Sequence, residues 1–204
     1  MNVETNTSAA PDPEMEAPRP ARTGSQDPIT WLILIYRVPS EPTRLRAAVW
    51  RRLRNLGAVY MQNSAAAAPR TPQNERAMRA LRNEIVESMA GKAFLVNAAS
   101  LIGENDLVNM FNEARNDEYE EILDKCRDFH AGVEKEVREE HFTYGELEEN
   151  EEDLGKLRGW FEKVKARDVL GAPMAEKVAD ELSRCAVRLE EFASQVYEAD
   201  NASL

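Results

Sequence analysis

Four short segments between residues 29 and 102 have the pattern of β-strands. The strongest runs from Thr30 to Tyr36, is β-branched, aromatic and apolar throughout, and ends before Pro39. Such a run is typical of a central strand that is covered on both faces of its sheet. Three weaker strands are predicted over 58–62, 64–68 and 93–96.

Two helices are predicted between these strands. A proline in the first turn, Pro42, and a glycine at the end, Gly57, place the first helix near 41–56. The second helix begins at Thr71 and ends before Gly91. The order strand, helix, one or two strands, helix, strand predicts an α+β fold of the ferredoxin-like, split βαβ kind, with both helices on one face of the sheet.

From residue 103 onwards the apolar residues repeat only with the spacing of helices. Three such series are present, at Tyr119, Ile122, Cys126, Phe129 and Val133; at Leu147, Asn150, Leu154, Leu157, Phe161 and Val164, where Asn150 is the one polar member; and at Val178, Leu182, Cys185, Leu189, Phe192 and Val196. Short breaks at 141–145 and 170–173 separate them. We therefore expect long helices that run antiparallel to their neighbours in the chain, as a helical bundle or an extended hairpin.

The sequence predicts three regions: a disordered leader over 1–28, the α/β domain over 29–102 and an acidic helical domain over 103–204. The leader contains five prolines and no aromatic residue, so it cannot bury enough surface to order itself. It lacks the basic start and apolar block of a secretion signal, and the run from Trp31 to Tyr36 is too short to span a bilayer. We expect a cytoplasmic protein with no membrane contact.

The charge of the chain is unevenly distributed. Residues 29–102 carry 11 basic and 4 acidic side chains, a local charge of +7, although the net charge of the whole chain is -11. Residues 103–204 carry 13 basic and 28 acidic side chains. A basic face acts within about 8 Å at physiological salt, so a polyanion remains a plausible partner despite the acidic total.

Several motifs resemble the amino-terminal domain of ChrB, a bacterial chromate-resistance regulator. They are WLILIYRVPSEPTRLR from Trp31, VWRRL from Val49, GAVYMQ from Gly57, FTYGELEENEEDL from Phe142 and ARDVLGAP from Ala166. The resemblance covers roughly residues 29–198 and implies a DNA-binding transcriptional regulator of a chromate efflux operon. ChrB proteins usually continue into a carboxy-terminal chromate-resistance domain, so we expect a stand-alone amino-terminal domain. If chromate sensing lies in that second domain, this chain either binds DNA without sensing or regulates something else.

The beginning of the domain is more distantly similar to the small CRISPR adaptation nuclease and to the core of the repressor PaaX. In the nuclease an aspartate follows the tyrosine that ends the first strand, and this chain has Arg37 there. A cation cannot replace a metal-binding carboxylate, so cleavage of that kind is not expected. The chain also lacks a phosphate-binding glycine loop, a nucleophile elbow and a catalytic triad pattern, and we expect no enzyme.

The candidate nucleic-acid-binding residues lie in and beside the first predicted helix. They are Arg37, Arg44, Arg46, Trp50, Arg51, Arg52 and Arg54. Guanidinium groups bind phosphate oxygens through a planar fork, and an indole ring can stack or pack beside the nucleic-acid backbone. The expected partner is double-stranded operator DNA, bound by a homodimer because symmetric half-sites are common.

The sequence leaves open one alternative to DNA binding by these arginines. The same arginines are equally able to pair with the acidic helices of the chain, which would mask them from any nucleic acid. The protein would then be a non-catalytic interaction module whose acidic helices mask the arginines or bind a basic partner.

No metal or other cofactor is expected. Cys126, His130 and Glu134 follow at intervals of four, the spacing of ligands on one side of a helix, but no second pair completes a set of four. Cys126 and Cys185 occupy apolar helical positions and are predicted to be buried, reduced thiols.

Overall fold

A computed structural model describes residues 29–99 and 102–202; the predicted leader over 1–28 lies outside the described residues. The fold is α+β, with a four-stranded antiparallel sheet and five helices. The strands are β1 (Thr30–Arg37), β2 (Val59–Gln62), β3 (Ala65–Pro69) and β4 (Lys92–Ala99). The helices are α1 (Arg44–Asn55), α2 (Pro72–Glu87), α3 (Glu104–Arg138), α4 (Tyr144–Lys165) and α5 (Ala175–Ala202).

The sheet has the strand order β2-β3-β1-β4, so β1 lies at its centre. On one face, Leu32 and Leu34 of β1 form a buried core with the apolar sides of α1 and α2. The helices follow this core because their apolar residues, such as Val49 on α1 and Met78 on α2, recur at helical spacing. Both helices therefore cover the same face of the sheet.

The opposite face of the sheet is only half covered. Trp31 packs edge to face against Phe111 of α3, with the ring centroids 6.3 Å apart. At the other end of β1, Ile35 is exposed, and its cross-strand neighbour Phe94 on β4 is 65% exposed. The prediction that β1 is covered on both faces is thus wrong for this end, because α3 reaches only as far as the Trp31 end.

Helices α3, α4 and α5 form the predicted bundle. Every apolar residue of the three series named above is buried in one common core, whereas the polar Asn150 is half-buried and donates a hydrogen bond to the backbone carbonyl of Glu146. Asn116 on α3 accepts a hydrogen bond from the backbone nitrogen of Met174, just before α5, whereas Tyr144 at the beginning of α4 bonds Asp200 near the end of α5. The helices therefore run up, down and up, with α3 parallel to α5.

Some boundaries differ from those predicted. Helix α1 begins at Arg44 rather than at residue 41. Residues 41–43 instead form a turn, in which the Pro42 carbonyl accepts a hydrogen bond from the backbone nitrogen of Leu45. Strand β4 extends from Lys92 to Ala99, beyond the predicted segment, since its whole length pairs with β1. Across residues 29–99 and 102–202, none of the helices combines the length and apolar character needed to cross a bilayer.

Candidate nucleic-acid interface

Helix α1 carries six of the seven residues that the sequence proposes for nucleic-acid binding. Val49 and Leu53 are buried against the sheet, which leaves the other sides of the helix to the arginines and to Trp50. All seven candidate residues are exposed. The seventh, Arg37, ends β1 directly opposite Lys92 of β4, so it lies at one end of the sheet rather than on the helix.

Three arginines form the outward face of α1. Arg44 and Arg51 are seven residues apart and Arg54 follows three residues later, intervals that place all three side chains on one side of an α-helix. We call these residues the arginine face. Among residues 29–99 and 102–202, the guanidinium groups of Arg44 and Arg51 have no hydrogen-bond or ion-pair partner. The guanidinium of Arg54 lies over the ring of Trp50, 5.4 Å from its centroid.

The remaining two arginines of α1 make intramolecular contacts. Arg46 donates from Nη2 to the backbone carbonyl of Ser40 at 3.3 Å. Arg52 forms an ion pair with Glu84 on α2. Arg52 therefore links the two helices and has part of its charge neutralised, which makes it a weaker candidate for phosphate binding than the arginine face.

The structure answers whether the acidic helices mask these arginines. In the described part of the chain, no ion pair joins an arginine of α1 to α3, α4 or α5. Arg54 and the 46% exposed Trp50 do border a cavity of about 470 Å³ whose far wall includes Glu113 and Glu121 of α3. The acidic helix thus flanks one side of the arginine face but does not cover it.

Two of the four arginines on and beside α2, Arg70 and Arg79, are neutralised by a carboxylate, whereas Arg76 and Arg82 have no ion pair among the described residues. Glu75 accepts hydrogen bonds from Arg79 at 2.6 Å and from Arg70 at 3.0 Å, and these bonds lower the pKa of its carboxyl group. Within the described part of the chain, the guanidinium group of Arg82 donates only to the amide oxygen of Asn83. Most of this surface is a solvated helix face, as the sequence also allows.

A buried polar junction joins the sheet to the bundle, and sequence reasoning missed it. Arg115 on α3 is only 3% exposed, donates from Nη1 to the carbonyl of Gly57 at 2.9 Å, and pairs through Nη2 with Glu118 at 2.8 Å. Arg167, after α4, pairs with the same Glu118. Burial lowers the pKa of Arg115, and the neighbouring carboxylate of Glu118 opposes that shift. The only signal in the sequence is the Arg-x-x-Glu spacing, which is far more common on exposed helix surfaces.

One exposed group of carboxylate and imidazole ligands lies at the end of α3. The ligand atoms of Glu136, Glu139 and His141 are within 4.8 Å of one another. His141 Nδ1 is 2.9 Å from a carboxylate oxygen of Glu136, and hydrogen bonding with His141 lowers the pKa of that carboxyl group. Exposed acidic groups of this kind are common at helix ends, and nothing else here indicates an ion.

Comparison with known families decides the relationship of the chain. Residues 46–203 match the model of the family described as "Protein ChrB, N-terminal". The chain belongs to the ChrB N-terminal family. No curated protein and no solved structure matches it significantly.

The ChrB N-terminal match confirms the resemblance expected from the sequence motifs. The match begins at Arg46 in α1 and continues through the bundle. It includes β2, β3, α2, β4, the Arg115 junction and all three long helices, but it does not include β1. Of the arginine face, Arg51 and Arg54 lie inside the matched region, whereas Arg44 precedes it. The family unit therefore crosses residue 102, where the sequence predicted a domain boundary.

Proposed function

We propose that this protein is a non-catalytic, DNA-binding transcriptional regulator of the ChrB type, acting in the cytoplasm in chromate or related oxyanion resistance. The observation that carries the proposal is the arginine face: three guanidinium groups on one side of α1, without a carboxylate partner among the described residues. Membership of the ChrB N-terminal family supports the regulatory role. In a chain of net charge -11, such a face is the place where a polyanion can approach.

Phosphate contacts from Arg44, Arg51 and Arg54, with Arg46 at the helix beginning, would position the duplex. Trp50 would pack beside the backbone. Contacts of this kind carry no sequence information, so base recognition requires groups other than these arginines. A homodimer that presents two copies of α1 to symmetric half-sites forms part of the proposal.

We also propose that residues 29–102 form a ferredoxin-like unit, which the strand order β2-β3-β1-β4 and the placement of α1 and α2 on one face support. The acidic bundle over 103–204 would be the second domain of the same module. Its contacts with the sheet through Trp31 and through Arg115 would hold α1 in a constant orientation relative to the bundle.

The decisive experiment is the salt dependence of binding to a duplex taken from upstream of the protein's own reading frame. If Arg44, Arg46, Arg51 and Arg54 neutralise four phosphates, the logarithm of the affinity should fall with the logarithm of salt at a slope of about -3.6, from about -0.9 per phosphate. Replacing Arg44, Arg51 and Arg54 together with alanine should reduce the magnitude of this slope by about 2.7.

The matched control replaces three arginines of the bundle, the exposed Arg127 and Arg184 and the half-buried Arg188, each already paired with a carboxylate on its own helix. This variant removes the same charge but should keep the slope. Equal weakening by both triple variants would show that net charge, rather than the arginine face, governs binding, and would contradict the proposal.

The rival function is a protein-interaction module, and one surface favours it. A cavity of about 480 Å³ between α3 and α4 is lined by several carboxylates, among them Asp128, Glu146, Glu149 and Asp153. A basic protein segment would suit this surface. Absence of duplex binding at low salt, together with binding of a cationic peptide that is lost in a Glu146→Gln, Glu149→Gln variant, would establish this function instead.

A further inference from the structure

A chain of four metal-ligating side chains crosses the bundle between α3 and α5. Cys126 and Cys185 are fully buried in the common core of the bundle, where burial raises the pKa of both thiols and each thiol also affects the pKa of the other. The sulfur of Cys185 lies 3.4 Å from Nε2 of His130, and the same Nε2 lies 3.2 Å from Oε1 of Glu181. The groups thus follow one another in the order thiol, thiol, imidazole, carboxylate.

Each helix contributes two of the four groups at an interval of four residues. Cys126 and His130 lie on one side of α3, and Glu181 and Cys185 lie on one side of α5. The sequence showed only the first pair, with Glu134 as a further candidate. Glu134 is exposed and takes no part in this contact chain. The missing second pair comes from a helix more than fifty residues later, brought alongside by the parallel packing of α3 and α5.

The spacing between the groups in direct contact resembles that between ligands of one tetrahedral ion, whereas groups that are not neighbours in the contact chain lie farther apart. Among the described residues, only Glu136, Glu139 and His141 have three ligand atoms within 4.8 Å of one another. With Zn–S bonds of about 2.3 Å and Zn–N or Zn–O bonds of about 2.0–2.2 Å, tetrahedral angles place sulfur and nitrogen about 3.6 Å apart and nitrogen and oxygen about 3.4 Å apart. The two observed distances are 3.4 and 3.2 Å. Imidazole and thiolate are ligands that zinc prefers, and a carboxylate is also accepted.

The surroundings provide access from solvent and an oriented carboxylate. The side chains of His130 and Glu181 are 32% and 22% exposed, whereas both thiols are buried, so the contact chain runs from the surface into the core. The second oxygen of Glu181 accepts from Nη1 of Arg184 at 3.0 Å. Partners of this kind orient a ligating carboxylate in metal sites.

We propose that Cys126, His130, Glu181 and Cys185 form a binding site for Zn²⁺ that joins α3 to α5. Rotation of the two solvent-facing side chains, His130 and Glu181, closes the contact chain around one ion, while the two sulfurs stay in the core. The ion would act as a structural link within the bundle. The proposal concerns the bundle alone and does not depend on DNA binding.

The test uses the full-length protein, reduced and freed of metal by a chelator, and titrated with Co²⁺ as a spectroscopic substitute for Zn²⁺. Coordination by the two cysteines produces thiolate-to-cobalt charge-transfer absorption, which carboxylate and imidazole ligands do not produce. We expect this absorption to saturate at one equivalent and to be displaced by Zn²⁺. We also expect Zn²⁺ to raise the unfolding temperature, because a ligand that binds only the folded state stabilises it.

Cys185→Ser should at least halve the charge-transfer absorption, because one of the two thiolates is removed, and should weaken Zn²⁺ binding by more than about 100-fold, the upper end for the loss of an outer-shell partner alone. His130→Asn, at the exposed end, tests the site without altering the core. His141→Asn is the matched control: it removes the only other histidine, in the exposed group with Glu136 and Glu139, and should leave binding unchanged.

Three results would overturn the proposal. They are no charge-transfer absorption in the wild-type protein, equal absorption in the Cys185→Ser variant, and loss of binding in His141→Asn with retention in His130→Asn. The first result would mean that Cys126 and Cys185 are simply buried apolar thiols, and DNA binding by the arginine face would be unaffected in any of these cases.

Discussion

The buried junction at Arg115 allows a quantitative prediction about how the sheet is held on the bundle. The perturbation is Arg115→Met, which keeps the unbranched apolar stem but removes the guanidinium group, whose central carbon lies 5.0 Å from the centroid of the Phe111 ring. Two polar interactions disappear, the bond to the Gly57 carbonyl at 2.9 Å and the pair with Glu118 at 2.8 Å, together with the cation–π contact with Phe111. The variant leaves the buried carbonyl of Gly57 without a hydrogen-bond donor and leaves Glu118 paired with Arg167 but no longer with Arg115.

The magnitude follows from these two losses. A buried carbonyl without a partner costs about 1 to 3 kcal/mol. Breaking a buried ion pair outright costs about 3 to 5 kcal/mol, but Arg167 still pairs with Glu118, so that value is an upper limit. We therefore expect the free energy of unfolding to fall by about 3 to 4 kcal/mol, equivalent to a fall of about 6 to 16 °C in Tm for a chain of this size.

The assay is urea and thermal unfolding of this variant beside Arg127→Met. Arg127 lies on the same helix, is exposed, and pairs with Asp124, so the same substitution there should cost no more than about 1 kcal/mol. A result for Arg115→Met within 1 kcal/mol of this control would refute the reasoning. It would mean that water replaces the guanidinium group and that the junction does not hold the two parts together.

Further predictions concern the sheet and the tyrosines. Gly57→Ala should destabilise the protein by at least about 1 kcal/mol in urea unfolding, because Gly57 has a φ of +73° and an added Cβ would lie 2.5 Å from Nη1 of Arg115. Phe94→Ser should change the free energy of unfolding by less than about 1 kcal/mol, since the ring is already 65% exposed; a larger loss would show that the open sheet face is covered in solution. The pKa of Tyr119 is raised above its ordinary value of 10.0, mainly by burial and to a lesser extent by the neighbouring Asp168. The free energy of unfolding should therefore fall as the pH rises past 10.0, because only the tyrosine of the unfolded state ionises there. Tyr119→Phe should make this alkaline decline shallower, and an identical pH profile would contradict the cause given.

Sequence patterns predicted the architecture well where the physical signal is local. The apolar series from Tyr119 to Val133 and from Val178 to Val196 is buried throughout, because a helix that repeats apolar residues every three or four positions has one face to bury. The arginine face was predicted for the same reason: once Val49 and Leu53 turn inward, Arg44, Arg51 and Arg54 must turn outward.

Local patterns could not show which charged residues are buried. Arg115 and Glu118 look like an exposed pair on a helix, yet they lie inside the molecule, because α3 passes beneath the end of α1 at Gly57. Nor could they show that β1 is only half covered on one face. That depends on how far α3 extends across the sheet from Phe111.

The sequence alone therefore determined the helices, the strands, the apolar face of each element and the position of the arginines, since these depend on the residues within a few turns of one another. Only the tertiary structure decided which distant groups meet: Arg115 with Gly57, and Cys185 with His130. Such meetings depend on the packing angle and register of whole helices, which arise from the sum of many apolar contacts and leave no signal at any single position.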